Sequence, residues 1–375
     1  MSGARGMLTR RSVLAGALAL GASGALGTLF LRIGSRREGI LLSAFENARG
    51  DQFIGGVDLG AARVFGAQVP VRAHGCAIDP NDPLRAIFFA RRPGTIAFEL
   101  RRDSMQVRKL FETPEGRHLS GHGVFSPQGD LLFVPEHDYE RKRGVVSVRD
   151  TRSFRIVDEL DTQGIDPHEV ALTHGGRELM VANGGILTHP RTFRRKLNIP
   201  TMDPSLCLID VTNGTCREQW RLEDHLLSIR HLALASDGTA AIGLQYEGEK
   251  QNAPGIVALY RPGRGLALLT APESELGAFK GYVSSVAISE QHDLIAAACP
   301  FGERVACWTL SDERYLGSIG AREVYGLSRL ADGTVLASQR DGTAFALEEI
   351  RLRSQFLSFD SAEPIRWDDH WTAVA

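Results

Sequence analysis

The chain lacks every short motif that would name an enzyme class outright. No GxSxG elbow, HExxH zinc helix, P-loop or Rossmann glycine pattern occurs in its 375 residues. Cysteine is scarce, five in all, and no CxxC or CxxCH appears, which excludes zinc ribbons and covalently attached haem. An excess of one charge is also missing: 43 Lys and Arg stand against 45 Asp and Glu, a net of −2. That balance gives no footprint for nucleic acid or another polyanion. Helical periodicity is absent after residue 38, and no long low-complexity segment interrupts the rest of the chain.

What is present instead is a repeat. His74, His122, His168 and His231 each open a short alternating apolar run that ends in a polar turn, as in GHGVFSPQGD and RHLALASDG. DHWTAVA, with His370, ends the chain where such a turn would come, and two further copies carry Ser285 and Gly326 at the His position. These seven frames lie 48, 46, 63, 54, 41 and 44 residues apart. A second, a third (GVVSVRD, SLCLIDV, RVACWTL) and a weaker fourth run complete most units. Period-two alternation bounded by Gly, Asp, Asn and Pro reads as strands. Four strands per 40–50 residues reads as a propeller blade. The expected fold is all-β: a seven-bladed β-propeller of the YVTN or WD-repeat type, over residues 38–375.

The ends explain each other. The chain enters the repeat at ILLSAFENARG without a first strand and leaves it with only a first strand. The C-terminal strand, about 367–375, is therefore expected innermost in the blade whose outer strands lie within 40–70, closing the ring and removing an exposed edge. Residues 1–37 form a leader. Arg10-Arg11 precede a Gly/Ala-rich apolar run of about 18 residues, which predicts twin-arginine export to the periplasm. Its small-x-small cleavage sites are poor, so an uncleaved leader would hold the protein at the inner membrane. Disulfides Cys207–Cys216 and Cys299–Cys307 are disfavoured by cross-strand register, and the odd count leaves at least one thiol free.

Inner strands start on one face of a propeller, and the loops between second and third strands return to it. That face is expected to carry the ligand or partner site, through His74, His122, Glu136, His137, His168, Glu169, Asn183, His189, Arg195, His231, Gln245, Arg340 and His370. Imidazole suits iron, zinc, copper and nickel, so His122, His168 and His231 are the candidate metal ligands. A seven-bladed channel is expected to hold opposing strands too far apart for four-ligand closure. Two or three His, helped by Glu136 or His137, are the expected set. The competing reading is a structural His copied by duplication. His168-Glu169 and Glu136-His137 are adjacent on strands and should point to opposite faces unless a loop intervenes. The irregular segment 181–206, with Arg191, Arg194, Arg195 and Lys196, exceeds the usual loop length and reads as functional or as a lid. No nucleophile can be named.

LTRRSVL, GHGVFSP, PHEVAL, RHLAL and above all VANGGILTHP with RRKLN and MDPSL resemble a family of twin-arginine-exported bacterial propellers classed as a domain of unknown function. The resemblance covers about residues 38–375. Genes of that family stand beside imelysin-type proteins and haem-containing oxidoreductases in clusters linked to iron acquisition. The resemblance thus implies a periplasmic binding or scaffold propeller in iron handling, with those proteins as partners and iron or another transition metal as cofactor. A metal-dependent hydrolase or oxidoreductase subunit is the alternative, and a purely structural interaction module is the third reading.

Overall fold

The computed structural model describes residues 37–193, 195–348 and 353–374, so the leader arginines and Arg194 lie outside the described residues. Seven antiparallel sheets succeed one another along the chain as the blades of a propeller, and a four-residue segment, Glu273–Leu276, is the one α-helix among the described residues. Blade 1 holds strands within 40–69, blade 2 within 73–112 and blade 3 within 117–161. Blade 4 spans 167–220, blade 5 227–268, blade 6 285–320 and blade 7 324–357.

Burial falls from the middle of each blade to its rim, and the sequence matches it. Middle strands such as Leu294–Cys299 and Leu206–Ile209 are covered on both faces by neighbouring blades and are buried along their length, so they read as near-continuous apolar runs. Rim strands such as Gln106–Glu112 are mostly exposed or half-buried, with Phe111 buried. The core is a set of seams between blades. Met180, Leu206 and Leu208 of blade 4 pack on Leu227, Ile229 and Ile242 of blade 5. Ala296, Ala298 and Val305 of blade 6 pack on Val324, Leu327 and Phe345 of blade 7. Removing one such leucine costs about 2–5 kcal/mol, because the rigid seam cannot close over the void.

The ring closes through its termini. Ile365–Trp367 pairs with Phe45–Asn47, and Thr372–Ala373 pairs with Leu41 and Leu42. The C-terminal strand is innermost in blade 1, as its frame predicts, but it is broken in two. Trp367 and Trp371 are buried in the blade 1–blade 7 seam, and His370 sits in the gap between the two pieces. All five cysteines are free thiols. Cys207 lies opposite Gln219, and Cys216 lies opposite Ile209, so neither faces the other directly in the ladder.

Candidate functional site: a histidine plug in the channel

The inner strands carry the site, and irregularities in them aim it. Pairing slips between Ala73 and Cys76, between Pro167 and Glu169, between Ile229 and His231, and between Val324 and Leu327. The inner strand of blade 3 is interrupted between Leu119 and Val124, where His122 lies. Only the inner strand of blade 6, Ser285–Ser289, pairs in unbroken register. A bulge bends the strand and redirects its extra residue. Every His of the repeat therefore sits at a bulge or a break, and the one regular inner strand offers Ser285.

The five imidazoles converge. His74 lies 5.0 Å from His122 and 4.4 Å from His370, measured between ring centres. His122 lies 5.3 Å from His168 and 4.7 Å from His370, while His231 lies 4.8 Å from His168 and 4.9 Å from His370. These distances bring ring nitrogens together in threes, while no four of them meet at one point among the described residues. Glycine explains part of the approach. A Cβ on Gly121, at φ +110°, would lie 2.7 Å from the His74 ring, and one on Gly75 would lie 2.9 Å from the Gly121 carbonyl. On blade 7 the frame position is Gly326, where a Cβ would stand 3.0 Å from Trp371 N. Its missing side chain makes room for the segment that carries His370.

Hydrogen bonds fix two of the rings. His74 Nδ1 donates to Asp368 Oδ1 at 2.8 Å, and His231 Nδ1 donates to Glu169 Oε2 at 3.1 Å. Each is the arrangement in which a carboxylate orients a metal-ligating imidazole, although His74 Nε2 also shares a hydrogen bond with His370 Nε2. His74 Nε2 and His370 Nε2 stand 3.2 Å apart, and the buried His122 Nε2 and His168 Nδ1 have no hydrogen-bond partner. Burial pushes all five imidazoles down: His122 and His231 to about 3, and His74, His168 and His370 well below their usual value. Neighbouring imidazoles and arginines add to the effect at most of them. The rings are therefore neutral near pH 7, which is the form that binds metals.

The nitrogens fall into two sets of three that could each hold one ion: His74, His122 and His168, and His122, His231 and His370. His122 belongs to both. The trio singled out from the sequence is thus divided, with His168 in one set and His231 in the other. A third set, His74 with Asp368 and Asp369, is engaged by cations, since Arg72 binds Asp368 and Arg91 binds Asp369 at 2.7 Å.

On the strand-start side the plug is backed by a buried polar layer. Asp166 accepts hydrogen bonds from Arg92 and from Arg230, the latter at 2.9 Å, and His137 Nε2 lies 3.5 Å from it. His118 stacks on His137 with ring centres 4.4 Å apart. The histidines consequently fill the channel rather than surround an open mouth: His74, His122, His168 and His231 are all under 8% exposed.

The remaining sequence candidates are dispersed. Glu169 joins the histidines. Glu136 does not: it is fully buried in blade 3, accepting from Ser147 Oγ at 2.6 Å and Arg149 at 2.8 Å. It and His137 sit on a regularly paired strand, so they point to opposite faces and Glu136 cannot help a metal in the channel. Asn183 is buried and donates to Thr162 O at 2.8 Å. It anchors the root of the irregular segment, whose Asn198 bonds Leu187 N and the Gly185 carbonyl. His189 packs against Tyr139, Arg195 is exposed, Gln245 bonds Glu247, and Arg340 pairs with Glu46 at 3.2 Å. Asp166, Arg230 and Asp368 were not singled out by sequence reasoning. A signal existed for two of them, because a carboxylate stands two residues before both His168 and His370.

The family described as "Protein of unknown function (DUF1513)" matches residues 67–374. The chain belongs to this family. No curated protein matches it in sequence. Among solved structures it is similar to hydrazine synthase of Kuenenia stuttgartiensis, with a TM-score of 0.59 at 14% identity, over 88% of this chain and 99% of that one. It is also similar to a chain of the mitotic checkpoint complex, with a TM-score of 0.56 at 13% identity, over 95% and 91% of the two chains. At such identities the likeness is one of fold alone. Among the described residues, no helix is long and apolar enough to cross a membrane.

Proposed function

We propose that this family member is a transition-metal-binding propeller that serves iron handling in the periplasm. One observation carries the reading: five neutral imidazoles, two of them oriented by carboxylates, bring their ring nitrogens together in two sets of three within a buried channel. A structural role alone gives no reason to bury His122 Nε2 and His168 Nδ1 without partners, since an unsatisfied buried polar atom costs about 1–3 kcal/mol. A bound cation would satisfy both. Glu169 and Asp368 would offset its charge through the imidazoles they hold. Imidazole with outer carboxylates fits iron, zinc or copper. The iron assignment and the periplasmic location rest on the family resemblance and on the twin-arginine leader.

Elemental analysis with native mass spectrometry on protein purified from the periplasm tests the reading. At least one transition metal per chain is expected, lost in a His122→Ala/His231→Ala variant whose circular dichroism is unchanged. Wild-type protein without metal above background, together with full rescue of iron-limited growth by the double variant, overturns it. Location is tested separately. Arg10→Lys with Arg11→Lys should strand the protein in the cytoplasm, because the paired guanidinium signal is read as geometry and not as charge. Normal periplasmic yield of that variant excludes the route.

A further inference from the structure

The two three-histidine sets differ in what lies beside them. A cavity of about 150 Å3 occupies the channel next to the plug, and its lining includes His122, His231 and His370 but neither His74 nor His168. All three members of one set therefore border this cavity, and the other set borders it through His122 alone. Glu169 lines the same cavity. Its Oε2 is held by His231 Nδ1 and Leu232 N, and its Oε1 lies 3.9 Å from His122 Nδ1.

A further space of about 260 Å3 shares Val286, Leu327, Trp371 and Thr372 with this cavity and extends to Arg329, which is exposed. Arg91 pairs with Asp369 and Arg230 with Asp166, in buried ion pairs outside the lining of either space. A guest arriving past Arg329 meets three imidazole nitrogens and a carboxyl group. Three protein ligands with a free position is the pattern of a metal that binds exogenous ligands, whereas structural sites are closed by four. An empty volume of about 150 Å3 takes a benzene-sized guest and nothing much larger.

We propose that the metal held by His122, His231 and His370 keeps an open coordination position toward this cavity and binds a small inorganic anion, or its conjugate acid, that enters from the Arg329 end. The proposal rests on the metal-binding reading of the plug and gives that site a ligand class. The set of His74, His122 and His168 borders the cavity only through His122.

Cobalt(II) is the probe, because its visible ligand-field bands report coordination. Apo-protein is loaded with cobalt, its uptake is measured by elemental analysis, and azide is then titrated. Saturable one-to-one spectral change is expected for azide and for thiocyanate, and none for 1-naphthoate, which exceeds the cavity. Val286→Phe, which adds bulk at a residue that lines the cavity and packs in the adjoining seam but ligates nothing, should retain cobalt and lose at least tenfold in azide affinity. Should that variant fail to fold, the size series on wild-type protein still decides the matter. Failure to take up cobalt overturns the metal reading and the ligand site together. Cobalt uptake with no azide response overturns the ligand site alone. An equal response to 1-naphthoate, or unchanged azide affinity in folded Val286→Phe, overturns the placement in this cavity.

Discussion

Two neighbouring pairs of the same residue types meet opposite fates. On blade 4, His168 and Glu169 both reach the channel. His168 packs 4.8 Å from His231, and Glu169 holds the Nδ1 of that same His231. On blade 3, His137 faces the channel layer while Glu136 faces the blade interior and binds Arg149. The difference is one slipped residue. The ladder shifts between Pro167 and Glu169, so two consecutive side chains share a side. Leu131–Asp138 pairs without a shift from end to end, so alternation sends Glu136 away. Residue identity and adjacency do not make a carboxylate–imidazole site; backbone register does.

The largest contrast should come from deleting the two carboxylates. Glu136→Ala leaves Arg149, which is 3% exposed, without its buried counter-charge. Breaking such a pair costs about 3–5 kcal/mol, so urea unfolding should show a large loss of stability with metal content unchanged. Glu169→Ala should do the reverse. A residue that orients a ligand imidazole is worth about 10–100-fold in metal affinity, read by competition with a chromophoric chelator, while Glu169→Asp should recover part of it. Metal loss in the Glu136 variant, or none in the Glu169 variant, would break the comparison.

Acid sharpens it next. Burial holds the five channel imidazoles below their usual value, His122 and His231 at about 3. Between about pH 6.5 and pH 3 the unfolded chain binds protons that the folded imidazoles refuse, so metal-free stability should fall as pH falls through that window. The slope from each imidazole approaches about 1.4 kcal/mol per pH unit. Glu169, which burial raises, acts in the opposite sense above its ordinary value and offsets only part of five such groups. Urea midpoints of apo-protein at pH 7, 6 and 5 measure this, and His122→Gln should flatten the trend.

The smallest effect is expected away from the plug. Arg340 pairs with Glu46 at 3.2 Å, both groups being about a quarter exposed. Arg340→Ala should therefore cost no more than about 1 kcal/mol and leave metal binding unchanged. A metal-affinity change in that variant would extend the site to the rim.

Much of this architecture is legible in the chain. The frame 74, 122, 168, 231, 285, 326, 370 and the alternation of each run dictate seven blades, because a strand buried on one or both faces must repeat its apolar residues with the pleat. A missing first strand at one end and a lone first strand at the other dictate the closure. What the chain by itself left open is where its polar side chains meet. The slips at His74, His168 and His231 leave no mark in an alternation pattern, since a bulge adds one residue without changing composition. Gly326 reads only as a frame position that lacks its His, and Gly121 as an ordinary neighbour of one, until the adjoining strand is seen against them. The distances between blades, hence the convergence of five rings that sequence separation holds far apart, are set by how the seams pack. Local hydrophobic period is a property of the chain; register, approach and burial of charge belong to contacts between segments tens to hundreds of residues apart, and only the closed ring decided them.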